Sequence, residues 1–365
     1  MIFFTTNWDK PIQADTGVGA ASFVLMEQKT GRVLSQKDAN TQRKIASITK
    51  IMTAILAIES GKMDEMVEIT PEMVQTEGSS IYLKVGMEIS LRDLVYGLML
   101  RSGNDAAQAI AIKVGGSIPG FVHLMNEKAT WLGMNNSKFT NPHGLDDEDR
   151  HVSTAYDMAL LTRYAMENDE YGKIAGTAKY KAETEQEEWS PFFENKHRLI
   201  KGDYRYATGG KTGFTKKARR TLVTTASKDG LDLIVVTLDD PNDWADHINL
   251  FEAAFSKYQY HQFVHAGLIT DDVKKIYKKN LMLKTDLSYP VTEAELKQVK
   301  IEYKLLEPKA IWKDKGKIPE VVGRAYLYVA DEVVNSTAIY FIKNPAKEPI
   351  RRTWMRMLSS FIGVN

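Results

Sequence analysis

The feature that most constrains this chain is a change of hydrophobic period near Phe263. Before it, apolar residues recur at helical spacing or in short unbroken runs. After it they alternate with period two, as in 299–303, 325–329 and 337–341. One core does not serve both patterns, so the chain reads as two folded parts and a tail: 1–262, 263–345 and 346–365. A length of 365 residues agrees, because one hydrophobic core rarely grows that large.

The first part mixes strands and helices. Residues 21–28 form an apolar run that suits a buried strand. Lys29-Thr30-Gly31 turns it into a hairpin with 32–34. Helical spacing predicts helices over 48–60, 91–100, 105–114, 118–132, 155–166 and 247–258, with Gly61 as a stop after the first. Residues 221–227 and 231–238 read as two strands joined by Lys228-Asp229-Gly230. This predicts an α/β (α+β) part with an antiparallel sheet flanked by helices. The second part reads as a small all-β module. Pro345 and Pro349 bracket a linker to the tail. There Trp354, Met357, Leu358, Phe361 and Ile362 share one helical face, with Arg351, Arg352 and Arg356 mostly on the other. Such a helix can lie on an anionic membrane surface or dock on the protein's own core.

The chain has no cysteine, which excludes a disulfide framework, a thiolate metal site and a thiol nucleophile. The formal net charge of +1 gives no argument for a nucleic-acid partner. No run reaches the roughly 18 apolar residues that span a membrane. Met1-Ile2-Phe3-Phe4 turns polar at Thr5, too soon for a secretory signal.

Ser47-Ile48-Thr49-Lys50 opens the first helix. Residues three apart on a helix share a face, so the Lys50 amine reaches the Ser47 hydroxyl. A serine needs a base to become a nucleophile, and a lysine serves as one only when burial or another cation strips its proton. The helix N-terminus adds backbone N–H groups where an oxyanion would form. A Ser-x-x-Lys string arises about once by chance in a chain of this length. Alone it better describes an N-cap beside a solvated lysine.

Ser102-Gly103-Asn104 lies between two predicted helices, where a loop offers a second hydroxyl and an amide to a cleft, or simply a turn. Lys211-Thr212-Gly213, followed by Phe214 and Thr215, leads into the strand pair. A strand-edge lysine and threonine can grip a carboxylate, and the glycine admits a close backbone. Lys29-Thr30-Gly31 repeats the triplet, but with no chemistry around it.

Together, in this order, the motifs resemble the low-molecular-weight penicillin-binding proteins, the D-alanyl-D-alanine carboxypeptidases. The surrounding segments 46–53, 101–107, 140–145 and 210–213 are similar to family segments too. So is the layout: a penicillin-binding/β-lactamase-like transpeptidase domain, a β-rich second domain and an amphipathic tail.

The resemblance implies a covalent enzyme with no cofactor or metal. Ser47 would attack the peptide bond of a peptidoglycan stem ending in D-Ala-D-Ala, with Lys50 as base. Ser102 would hand a proton to the departing D-alanine. Asn104 would hold substrate or Lys50. Lys211, Thr212, Gly213, Phe214 and Thr215 would bind the substrate, Lys211 adding field and the threonines gripping the terminal carboxylate. The amides of Ser47 and Phe214 would form the oxyanion hole. β-Lactam antibiotics would acylate Ser47 as well. Phe214 stands where some members have histidine, which leaves the backbone role intact. The family acts outside the cytoplasmic membrane. The expectation is therefore an exported protein, peripheral to the outer face of the bacterial membrane through its C-terminal helix, whose signal is absent from this sequence.

Alternatives remain. A class A β-lactamase needs a Glu-x-x-Leu-Asn segment, which is missing. A D,D-endopeptidase or transpeptidase would share the same site. A wall-binding protein with a degenerate site would not keep all three motifs. Gly-x-Ser-x-Gly and His-Glu-x-x-His are both absent, and the seven histidines show no ligand spacing.

Overall fold

Why the first strand is an unbroken apolar run is explained by what covers it. The structure, a computed structural model, describes residues 17–146, 150–182, 192–269 and 274–343. The predicted tail helix over 346–365 lies outside these residues. The chain divides into two units between Ser256 and Lys257.

The first unit is built on a five-stranded antiparallel sheet. Its strands are β1 (Ser22–Glu27), β2 (Val33–Lys37), β3 (Ala207–Thr215), β4 (Arg219–Lys228) and β5 (Leu231–Leu238). Their spatial order is β2-β1-β5-β4-β3, so β3 is an edge. β1 is buried at every residue. A sheet covered on both faces shows no alternation, which is why the sequence reads as a continuous run there.

One face carries Val24, Met26, Val223, Ile234 and Val236 into the main core. That core includes the helices α1 (Lys50–Glu59), α2 (Leu91–Tyr96), α3 (Asn104–Gly115), α4 (Ile118–Trp131) and α5 (Ala155–Met166). The short α6 (Asp169–Ala175) joins them. The opposite face is capped by α7 (Asp243–Lys257), whose buried His247 bonds Thr224 and Thr237.

The predicted helices 48–60, 91–100, 105–114, 118–132 and 155–166 all appear, with shifted ends. The helix over 91–100 is α only to Tyr96 and widens into a π turn over Gly97–Arg101. The sequence reading missed α6 and two short strand pairs, Met66–Glu68 with Glu88–Ser90 and Lys179–Lys181 with Phe192–Glu194. Three-residue strands carry too few alternations to read. Lys29-Thr30-Gly31 is a hairpin turn, with Gly31 at φ +77°.

In the second unit Gln259–Val264 pairs with Leu287–Val291. A five-stranded sheet of Gly267–Leu268, Leu281–Leu283, Glu332–Phe341, Val321–Val329 and Val299–Leu305 surrounds its own core of Tyr277, Leu281, Trp312, Val322 and Ile339. The all-β expectation missed one α-helical turn, Glu293–Leu296, opened by a capping box of Thr292 and Glu295, and two 3₁₀ turns, Ala310–Lys313 and Lys315–Lys317.

Candidate active site

Ser47 does not cap a helix. It lies on a 3₁₀ turn, Ala46–Thr49, that runs into α1 at Lys50. In a 3₁₀ turn residues three apart eclipse, so Lys50 Nζ comes within 3.0 Å of Ser47 Oγ. Ala46, before Ser47, has φ +49°, and Ser102, which follows the π turn, has φ +64°. Non-glycine residues held in the left-handed region cost of order 1–3 kcal/mol each and collect at functional sites.

The Lys50 side chain is 0% exposed. Its Nζ also lies 2.8 Å from Asn104 Oδ1 and 2.6 Å from the His143 carbonyl oxygen. The Asn104 amide is oriented by its other end, where Nδ2 donates to Glu77 O at 2.6 Å. A neutral amine has two hydrogens and one lone pair. Both hydrogens are claimed by pure acceptors, Asn104 Oδ1 and His143 O, which leaves the lone pair for the Ser47 hydroxyl proton. Burial pushes the Lys50 pKa far below the ordinary lysine value. The nearby charges of Lys211 and Lys196 push the same way, and Asp105 opposes them.

The loop that supplies the His143 carbonyl sits hard against the Ala46–Thr49 turn. Gly144, at φ +87°, is the reason: a Cβ there would lie 1.9 Å from the Ala46 carbonyl oxygen. Behind it, the Thr140 amide donates to His151 Nδ1, so neutral His151 carries its proton on Nε2 and donates to Thr49 Oγ1. Thr49 in turn donates to Ala46 O at 2.8 Å. Burial lowers the His151 pKa to about 4 and that of His143 to about 3.

The edge strand β3 forms the other wall. Lys211 pairs in register with Val223, which faces the main core, so alternation puts Lys211, Gly213 and Thr215 on that face. Lys211 is 1% exposed and donates to Ser102 Oγ at 3.1 Å and to the Thr212 carbonyl at 2.8 Å. Burial, then the charge of Lys196, lowers its pKa to about 7.

A Cβ on Gly213 would meet Thr221 Oγ1 at 2.3 Å and Ser47 N at 3.0 Å. Only glycine lets the strand backbone lie beside the Ser47 amide. Thr221 Oγ1 donates to Ile45 O at 2.9 Å and pins the chain just before Ser47. Thr212 and Phe214 alternate to the other face. Thr212 meets Lys211 through its carbonyl, and Phe214 is 64% exposed. Thr215 Oγ1 accepts from Ala218 N within the following turn.

The motifs, the first and last of which begin at Ser47 and Lys211, thus meet, through contacts that join Lys50 to Ser47 and Asn104 and Lys211 to Ser102. A family profile described as D-alanyl-D-alanine carboxypeptidase matches residues 9–242. The chain belongs to this family.

Its relatives include the D-alanyl-D-alanine carboxypeptidase DacF of Bacillus subtilis, 34% identical over 283 residues, which are 75% of this chain and 72% of that one. Among solved structures, the D-alanyl-D-alanine carboxypeptidase DacD from Francisella tularensis aligns with TM-score 0.68 at 26% identity, over 92% of this chain and 95% of its own. A mutant Streptomyces DD-transpeptidase aligns with TM-score 0.61 at 31% identity, over 66% of this chain and 98% of its own.

Sequence reasoning missed three contributors. The His143 carbonyl is a backbone group, invisible in residue identity. Thr221 is one threonine in a strand. Lys196 is exposed, donates to Ser79 Oγ at 3.1 Å and lowers the pKa of both Lys50 and Lys211. Nothing sets it apart among 48 lysines and arginines.

Proposed function

We propose that this serine-type D-Ala-D-Ala carboxypeptidase removes the terminal D-alanine of peptidoglycan stem peptides through an acyl-enzyme on Ser47. The observation that carries this reading is the buried Lys50 amine, with both hydrogens committed and Ser47 Oγ at 3.0 Å.

Lys50 takes the hydroxyl proton as Ser47 Oγ bonds to the carbonyl carbon of the penultimate D-alanine. The ammonium so formed keeps the same three partners, so nothing has to reorganise. The amides of Ser47 and Phe214 stabilise the oxyanion, a role supported by the approach of the Gly213 backbone to Ser47 N. The C–N bond then breaks, and the leaving nitrogen receives the Lys50 proton through Ser102. Water, deprotonated by Lys50, hydrolyses the ester. Lys211 and Thr215 bind the terminal carboxylate from one strand face. Thr212 acts through its backbone. A β-lactam is opened by the same attack and stays on Ser47.

The same acyl-enzyme passed to an amine would be transpeptidation, and the likeness to a DD-transpeptidase favours keeping that as the second reading. We further infer that the chemistry lies in the part before about residue 262, that the β-rich part over 263–345 carries none, and that the protein works outside the cytoplasmic membrane. Residues 346–365 would hold it to the membrane surface. Among the described residues no helix is long and apolar enough to cross a membrane.

Intact mass after mixing with benzylpenicillin, beside Ser47→Ala, tests this. A long-lived single adduct on the parent and none on the variant is expected. A short-lived adduct with continuing drug hydrolysis would replace the reading with a β-lactamase. No adduct would remove the nucleophile assignment.

A further inference from the structure

Asp105 follows directly on Asn104 and is 2% exposed. Its carboxylate is satisfied mostly from one short segment. The Ile81 amide donates to both oxygens at 3.0 and 3.1 Å, and the Leu83 amide and Ser80 hydroxyl donate to Oδ2 at 3.1 and 2.5 Å. Between these amides, Tyr82 is held at φ +63° with its side chain in solvent, 80% exposed. A tyrosine does not choose the left-handed region unaided. The donors gathered on either side of it by one carboxylate account for that conformation.

The same strap, residues 77–83, touches the site. Ser79 O accepts from Asn104 N at 2.7 Å, Glu77 O accepts from Asn104 Nδ2, and Lys196 donates to Ser79 Oγ. The strap is thus tied on one side to Asp105 and on the other to the amide that orients the Lys50 amine.

We propose that Asp105 is a positioning residue for acylation: its carboxylate holds the strap 77–83 in the shape that orients Asn104, and Asn104 orients the Lys50 amine. This rests on the reading of Ser47 and Lys50 as nucleophile and base.

The groups facing Lys50 are Lys211, Lys196 and Asp105, with the neutral imidazoles of His143 and His151 behind. Asparagine at 105 has one acceptor oxygen, and its amide hydrogens would face the Ile81 and Leu83 amides. The strap would let go. A protonated Lys50 would then lose both an opposite charge and a well-placed acceptor, which favours its neutral form. Two effects with different signs follow: the maximal rate falls, while the acid limb of the pH profile moves to lower pH.

The test is the rate of benzylpenicillin acylation, read by intact mass between about pH 5 and 10, for the parent, Asp105→Asn and Ser80→Ala. Failure of the parent to acylate at Ser47 would defeat the catalytic reading itself, before any variant is compared. Given an active parent, Asp105→Asn is expected to lose on the order of tenfold to a hundredfold in maximal rate, with its acid limb at lower pH. Ser80→Ala should lose a few-fold with a shift of the same sign. Parental rates and limbs in folded Asp105→Asn overturn the proposal. So does a rate loss with an unmoved limb, which is what general loosening would give. If Asp105→Asn does not fold, Ser80→Ala decides by the same two readings.

Discussion

Lys50 and Lys211 in the first unit are almost wholly buried, whereas Lys284, Lys300 and Lys304 in the second lie over tyrosine rings at its surface. Lys284 Nζ stands 3.8 Å from the Tyr340 ring centre and 3.1 Å from Glu320, with half its side chain exposed. Water keeps that ammonium charged. In the first unit burial strips bulk water from Lys50, and the charges of Lys211 and Lys196 repel its own, so the same functional group is pushed toward its neutral form. What a lysine does here is decided by what surrounds it.

The largest effect expected from that contrast is at Lys50. Arginine keeps its proton in proteins, so Lys50→Arg should slow penicillin acylation about a thousandfold, within the range of general-base contributions. A loss under tenfold would place the base elsewhere.

Lys211 sharpens the comparison, because it must keep the charge that Lys50 gives up. The kcat/KM for a D-Ala-D-Ala peptide should rise as Lys50 deprotonates and fall again as Lys211 does, about pH 7. Lys211→Arg stays charged, so its basic limb should vanish, with activity down roughly tenfold or more from lost geometry. A basic limb that persists in this variant would belong to another group.

The units should also differ in acid. His143, His151 and His197 are buried and neutral, with pKa values of about 3, 4 and 3 against an ordinary 6.5. His247 is lowered too, by burial and then by His197. Between the two values the unfolded chain binds more protons than the native one, so stability is lost as pH falls below 6.5 toward 4. Hydrogen-exchange protection of the strand Arg219–Lys228 should drop at least about tenfold from pH 6.5 to about 4.5. Protection of Val321–Val329, in a unit with no buried histidine among its described residues, should hold. Equal losses in both would remove the histidine explanation.

The smallest effect is at the surface. Lys284→Met should change stability by less than about 1 kcal/mol in thermal melts and leave acylation unchanged.

Helices with a clear apolar face, such as α5, were legible from spacing alone, as were the β1–β2 and β4–β5 hairpins with their glycine-bearing turns. The period-two alternation after Phe263 was legible because a half-solvated sheet must alternate. The motif residues were legible as types in order. Their chemistry was not. The sequence states that Lys50 is three residues from Ser47, and local helical geometry does the rest. It does not state that Lys50 is buried, that Asn104 and a backbone carbonyl take its two hydrogens, or that Lys196 stands near. It leaves open whether the face shared by Lys211 and Thr215 turns toward the main core, since that follows from the pairing of Lys211 with Val223. Local pattern is written residue by residue, whereas burial, field and hydrogen-bond partners arise only when segments as far apart as Ile45 and Thr221 are packed together.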